Sequence, residues 1–253
     1  FFRGTRARLI SELELPGKSV LDVGSGRGWI VYLLKQKHGF KRAAGTQISH
    51  SAYLYSKNVL GLEIYDKELK EIRFASNSFG VVTMWHVLEH VRSPEEYVSE
   101  IERILMPGGV FVVEVPNWDS WTRGVSGRYW LGLDLEYHLT FFGKQTLIGL
   151  LEEKGFEIEK VKTFSWEYSA FLSAQSLLGK MSGIHQGFFG WLQGKRKISE
   201  VWMEVMIFLP VWVAVLGINL IVEGISDEGE VLTVIARKPY ETKVRKNKKH
   251  EEI

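Results

Sequence analysis

Residues 85 to 90 read WHVLEH, so His86, Glu89 and His90 stand in the order H-x-x-E-H. Two imidazoles and a carboxylate are a ligand set that borderline divalent metals accept, and on a regular helix this spacing is that of a zinc hydrolase. Here a long helix has no room to form. FGVVTMW (79–85) is a continuous apolar run of strand length, and Ser93-Pro94-Glu95-Glu96 opens a new helix with a cap residue, a proline at the first helical position and a glutamate three residues after the cap. A single turn could still gather the three side chains, but the stretch reads first as a strand end facing a ligand pocket. His90 is then either a helix-end histidine bonded to backbone or a chemical group. A third imidazole, His138, lies in YHLTFF (137–142) beyond the glycine- and aromatic-rich NWDSWTRGVSGRYWLGLD. Histidine is the side chain best matched to removing a hydroxyl proton near neutral pH, so His86, His90 and His138 are the candidate bases. On spacing alone, His138 between Trp130 and Phe141 reads equally as a satisfied core residue.

The second stretch with chemical content is GSGRG (24–28). It follows SVLDV (19–23), an apolar run holding Asp22, and precedes WIVYLLK, in which Trp29, Ile30, Leu33 and Leu34 recur at helical spacing. Strand, glycine turn and helix open a nucleotide-binding βαβ unit, in which glycines let the backbone approach a ligand and the helix start offers free N–H groups. The dinucleotide fingerprint requires a third glycine where Trp29 stands, and the G-K-[ST] of a P-loop is absent.

The elements that must position these residues alternate. KRAAGTQIS (41–49) reads as a second strand and its exit, GLEIYD (61–66) as a third, VFVVEV (110–115) as a fifth, FEIEKVKT (156–163) as a sixth and GEVLTVIARK (229–238) as a seventh. Such alternation implies an α/β fold, a mainly parallel sheet with helices on both faces and ligands beyond the C-terminal strand ends. Those ends are Gly24–Gly28, Gln47, Asp66, Trp85–His86 and Pro116–Asn117.

Composition bounds the partners. The 253 residues carry a formal charge of only +2, too little to argue for nucleic acid, and the positive excess is gathered in the tail after Arg237. The absence of cysteine excludes disulfides, thiolate metal sites and a cysteine nucleophile, and it fits a reducing, cytoplasmic setting. FFRGTRARLISELELPGK lacks the long apolar core of a signal peptide.

VLDVGSGRG, the strand end GTQIS and the run FGVVTMWHVLEHVRSPEEYVSEIERILMPGGVFVVEVPN together resemble the class I S-adenosylmethionine-dependent methyltransferases, in particular the group that includes ubiquinone-biosynthesis O-methyltransferases. GRYWLGLDLEYHLTFFGKQTLIGLLEEKGFEI (127–158) resembles the acceptor-side segment of that group. The resemblance implies a Rossmann-like, seven-stranded, mostly parallel sheet, with a helical insertion before the last strand. It divides the chain into a cofactor-binding domain (1–163 with 229–240), an apolar helical insertion (164–228) and a basic tail (241–253). The implied reaction is methyl transfer to oxygen of a small-molecule, lipid-linked or sugar-linked acceptor. Asp22, Gly24, Ser25, Gly26 and Gly28 would hold the methionine and sulfonium end of the cofactor, Gln47 the ribose and Asp66 the adenine. Trp85 and His86 would line the pocket near the methyl group, with His86 or His138 as base. Two departures bear on cofactor affinity: Gln47 stands where an acid is usual, and Gly80 replaces the acid of a Phe-Asp pair. A related subset holds magnesium through E-x-x-E-H; here His86 replaces its first glutamate and removes an oxygen ligand, so no metal is expected. The rival readings are a methyltransferase-fold module without catalysis and a metal hydrolase at His86, Glu89 and His90.

One segment falls outside this pattern. VMIFLPVWVAVLGINLIV (205–222) has no charge and the minimum length of a membrane span. A single crossing would strand the seventh strand on the wrong side of its own sheet. Two readings remain: a helix at a membrane surface, aided by Lys195-Arg196-Lys197 and the basic tail, or an apolar helix covering the sheet or a second copy. Pro210 is expected to kink it.

Overall fold

The structure is a computed structural model and describes residues 2–166 and 168–240. The basic segment 241–253 lies outside the described residues.

The apolar runs become the strands β1 (Ser19–Val23), β2 (Arg42–Thr46), β3 (Glu63–Tyr65), β4 (Phe79–Trp85), β5 (Leu105–Pro116), β6 (Glu157–Lys162) and β7 (Val231–Arg237). They form one sheet in the order β3-β2-β1-β4-β5-β7-β6. β1 to β5 pair in parallel, and β7 runs antiparallel between β5 and β6. The helices are α1 (Phe2–Ser11), α2 (Trp29–Lys37), α3 (His50–Leu54), α4 (Leu69–Ile72), α5 (Pro94–Ile104), α6 (Trp121–Ser126), α7 (Lys144–Glu153), α8 (Ser169–Ser182), α9 (Gly187–Leu192) and α10 (Ile198–Ile225).

Successive strand residues alternate between two cores, as the pleat dictates. Val20, Val81 and Val110 meet Ala7 and Ile10 of α1 and Ile30 and Leu34 of α2. Leu21, Val82 and Phe111 meet Ile101 of α5 and Leu147 of α7. Pro94 opens α5 as the sequence predicts, but the Ser93 hydroxyl makes no capping bond. Gly80 sits at the start of β4, at the opposite end of the strand from His86, where a Cβ would run into the carbonyl oxygen of Gly17. The departure from Phe-Asp therefore answers a close backbone approach, not a ligand contact.

Between β6 and β7 the chain leaves the sheet. α8 and α10 pack against each other with α9 between them in sequence, and their shared apolar core is small: Ala170, Ala174 and Val215 are its buried members. Inside α10 the residue with non-helical dihedrals is Val201 (φ −128°, ψ 15°), not Pro210.

Candidate active site

The strand ends of β1, β2 and β4 surround a cavity of about 510 Å³, within the range of small-molecule sites. Gly24, Gln47, Ile48, Lys67, Val87, His90 and Leu139 are among the residues that line it. The glycine loop is built for close approach. Gly24, Gly26 and Gly28 have φ of +72°, +55° and +72°, where side chains are strained. A Cβ on Gly24 would run into Val87, and one on Gly28 into Leu62, whereas one on Gly26 would meet nothing within 4 Å. The loop is tied to β2 through Ser25, whose amide donates to the Thr46 carbonyl (2.8 Å) and whose hydroxyl donates to the same oxygen (3.3 Å).

Of the cofactor residues expected from the sequence, Gly24 and Gln47 line this cavity. Gln47 uses its side-chain oxygen to accept from the Ser49 amide (2.9 Å), which leaves its NH₂ group as the donor toward a ligand. Asp66 is absent from the lining; its carboxylate lies 3.4 Å from Nδ1 of His50, and Lys67 takes its place in the wall. Asp22 is buried beneath the loop, where it accepts from Thr83 Oγ1 (2.6 Å), and burial raises its pKa to about 6. Trp85 lines instead a smaller cavity of about 110 Å³, together with Arg6, Glu114, Phe164, Ser165 and Trp166.

His86 stands between the two cavities, its neighbours Trp85 and Val87 each lining one. Its φ of +54° is unusual for a non-glycine residue, and its amide donates to the Glu114 carbonyl (2.8 Å). Nδ1 lies 3.4 Å from Glu89 and Nε2 3.2 Å from Glu114, the latter off the line of a hydrogen bond. Burial alone would lower its pKa, but the nearby carboxylates of Glu114 and Glu89 prevail and raise it to about 9. Glu114 answers in the opposite sense. Burial would raise it, while His86, Arg6 and the Thr233 hydroxyl bring it down to about 2. Arg6 donates to Glu114 and lies over the Trp85 ring at 4.5 Å. Held between two carboxylates, this imidazole has its pKa raised, which favours an ion-pair role over the base role expected from the sequence.

His138 is placed differently. Its Nδ1 is 2.8 Å from the Gly132 carbonyl, and since a carbonyl only accepts, that nitrogen carries the hydrogen. Nε2 of the neutral ring is then a lone-pair acceptor. Burial lowers the pKa of this imidazole. His90 is oriented in the same way by the Tyr137 carbonyl (2.9 Å), and the two rings stand 4.8 Å apart. Glu89 is buried with both carboxylate oxygens free of hydrogen-bond donors. Glu89, His90 and His138 thus bring ligand atoms within 4.8 Å of one another and could hold a divalent ion. The trio drawn from H-x-x-E-H alone loses His86, turned toward Glu114, and takes in His138 from 48 residues downstream of His90.

Arg6 and Glu114 were not among the sequence candidates. A glutamate inside the apolar run VFVVEV was the available signal for Glu114; nothing local marked Arg6.

Residues 3–161 match the family described as a methyltransferase domain. The chain belongs to that family. It is 27% identical over 209 residues to a 2-methyl-6-phytyl-1,4-hydroquinone methyltransferase of Synechocystis, covering 76% of this chain and 65% of that one. It is 29% identical over 103 residues to a ubiquinone biosynthesis O-methyltransferase of Coxiella burnetii, covering 39% and 43%. The chain spans about half the length of the curated relatives it matches. Among solved structures, an S-adenosylmethionine-dependent methyltransferase from Mesorhizobium loti superposes with a TM-score of 0.58 at 17% identity, over 94% of this chain and 98% of that one. The sheet described above is therefore the class I methyltransferase fold, whose cofactor is S-adenosylmethionine.

Proposed function

We propose that this chain transfers the methyl group of S-adenosylmethionine to an oxygen of a small acceptor, free or lipid-linked. The observation that carries the reading is the 510 Å³ cavity, which joins Gly24, at the start of the glycine loop, to Gln47 and Ile48 at the end of β2. The residues fit the cofactor. Gly26 leaves space where a side chain would stand, Gln47 offers a donor to ribose oxygens, and Lys67 and Val87 wall the far side.

Methyl transfer asks chiefly for in-line placement of the acceptor oxygen. The oxygen–carbon bond forms as the carbon–sulfur bond breaks; the sulfonium leaves as a neutral thioether, and the hydroxyl proton goes to a base. His138 is that base in this reading, because its Nε2 has the lone pair and its lowered pKa keeps the ring neutral near pH 7. His86 acts as a positioning residue that ties the end of β4 to β5. The relatives named for a phytyl hydroquinone and for ubiquinone biosynthesis support an acceptor with an apolar tail.

The buried Glu89 carboxylate, whose oxygens accept no hydrogen bond, favours a second reading, in which a divalent ion occupies Glu89, His90 and His138 beside the cavity wall and takes the lone pair assigned above to the base. Metal analysis of the purified chain separates the two: a stoichiometric ion moves the base elsewhere, and its absence keeps His138 in the role.

Thermal unfolding with S-adenosylhomocysteine tests the cofactor assignment, with NAD as control. A ligand at about 100 times its Kd stabilises by roughly 2.7 kcal/mol, a rise in Tm of about 5–10 °C for a domain of this size. A rise with S-adenosylhomocysteine alone supports the reading; no rise at millimolar ligand leaves a methyltransferase fold without its cofactor.

A further inference from the structure

α10 is arranged inside out. Between Trp202 and Val222 its two polar side chains, Glu204 and Asn219, are the ones that face the protein. Glu204 is 2% exposed and accepts from the Ser182 hydroxyl (2.6 Å) and the Phe188 amide (2.6 Å). Asn219 donates to Ser173 (2.8 Å) and accepts from Trp121 Nε1 (3.2 Å). Every exposed position from Trp202 to Ile221 is apolar, among them Met206 (73% exposed), Leu209 (66%) and Ile221 (64%). At 100° per residue these positions sweep about half of the helix circumference. Within Ile198–Val222 an 18-residue window reaches a mean hydropathy of 2.6. A helix facing water puts its polar side chains outward; this one spends them on its neighbour α8 and on α6 and α9.

We propose that the α8–α10 hairpin is a monotopic anchor, with the outer half of α10 embedded in one leaflet of a lipid bilayer. Three observations select lipid over a second copy of the chain. The apolar arc is too broad for the single stripe that a packed helix buries. Beyond the break at Val201 the helix is about 36 Å long, more than the roughly 30 Å of a hydrocarbon core, yet its chain returns at Val231 to the sheet it left at Lys162, so it lies along one side instead of crossing. The basic charges fall at one end of the helix, where Lys195, Arg196, which also pairs with Glu200 (3.5 Å), and Lys197 precede Ile198 and can meet anionic head groups. The acidic Glu223, Asp227 and Glu228 stand in the sequence at the other end. The anchor also deepens the functional reading, and this part rests on it. Phe164, Ser165 and Trp166, a few residues before α8, wall the 110 Å³ cavity at the strand ends, which sets the start of the hairpin on the Trp85 side of His86, next to the proposed site.

Flotation of the full chain on phosphatidylcholine vesicles, with and without phosphatidylglycerol, tests the anchor. The chain should float with both and more strongly with the anionic lipid. A triple variant, Met206→Glu, Leu209→Glu and Val213→Glu, should float roughly tenfold less or worse while keeping its thermal response to S-adenosylhomocysteine. Brominated lipid should quench tryptophan emission of the wild-type chain, and Trp202→Phe should lose much of that quenching, a readout that survives if the triple variant does not fold. A chain that stays in the aqueous fraction with both vesicles overturns the proposal, as does a stable dimer in buffer whose interface is the outer face of α10. Because the ligand response needs no vesicles and flotation needs no cofactor, failure of one reading leaves the other standing.

Discussion

The sheet domain and the α8–α10 hairpin solve opposite solvent problems within one chain. In the sheet, strand residues such as Leu21, Val82 and Phe111 are fully buried between helices. In the hairpin, Ser173, Gln175, Glu204 and Asn219 are buried, and Met206, Leu209 and Ile221 are exposed. The contrast teaches that hydropathy alone does not say where a helix lies; the direction of its few polar side chains does. A polar interior needs matched partners and is costly when one is removed, whereas an apolar interior is costly when it is emptied or overfilled.

The largest effect expected from this contrast is in the sheet. Gly80→Asp puts side-chain atoms into the Gly17 carbonyl, and should cost about 4 kcal/mol or more, or abolish folding, with any folded fraction binding S-adenosylhomocysteine normally. Urea unfolding with and without ligand checks both halves. In the hairpin, Glu204→Leu leaves the Ser182 hydroxyl and the Phe188 amide without their acceptor. A local loss of about 2–3 kcal/mol should follow, seen as faster amide exchange over 183–204 with the sheet unchanged.

The next prediction concerns pH. The folded pKa of His86, about 9, exceeds its ordinary 6.5, so its contribution to stability is whole below pH 6.5 and is lost as pH rises through 9. Glu230, buried at the junction of sheet and hairpin, is raised by burial from 4.5 to about 8, and stability falls over that interval for the same reason. The free energy of unfolding should therefore drop from pH 6.5 to 9 by roughly a few kcal/mol. His86→Gln should flatten the upper part of the slope and Glu230→Gln the lower. The smallest effect is Gln47→Glu, which restores a charged acceptor for the ribose and should tighten S-adenosylhomocysteine by about 1–2 kcal/mol in calorimetry.

Much of this was legible in the sequence where the signal is local. β1 and β4 match the apolar runs SVLDV and FGVVTMW, and Gly24, the first residue of the glycine turn after β1, lines the cavity. Pairings between distant segments were not legible, because no periodicity encodes them. Arg6 meets Glu114 across 108 residues, and His138 joins His90 only once the loop after α6 folds back over the end of β4. The raised pKa of His86 depends on Glu114, a residue of another strand, so its type alone could not decide between base and ion-pair member. In the same way the charge-free run 205–222 was visible, but the inward turn of Asn219 was not.

Hydrogen exchange of the full chain under four conditions tests the two-region account most directly: buffer, S-adenosylhomocysteine, vesicles, and both together. The account predicts that the ligand slows amides at 24–28, 46–48 and 87–93 and leaves 202–222 unchanged, while vesicles do the reverse. Ligand protection that misses the glycine loop, or vesicles that leave 202–222 exchanging as in buffer, would contradict it.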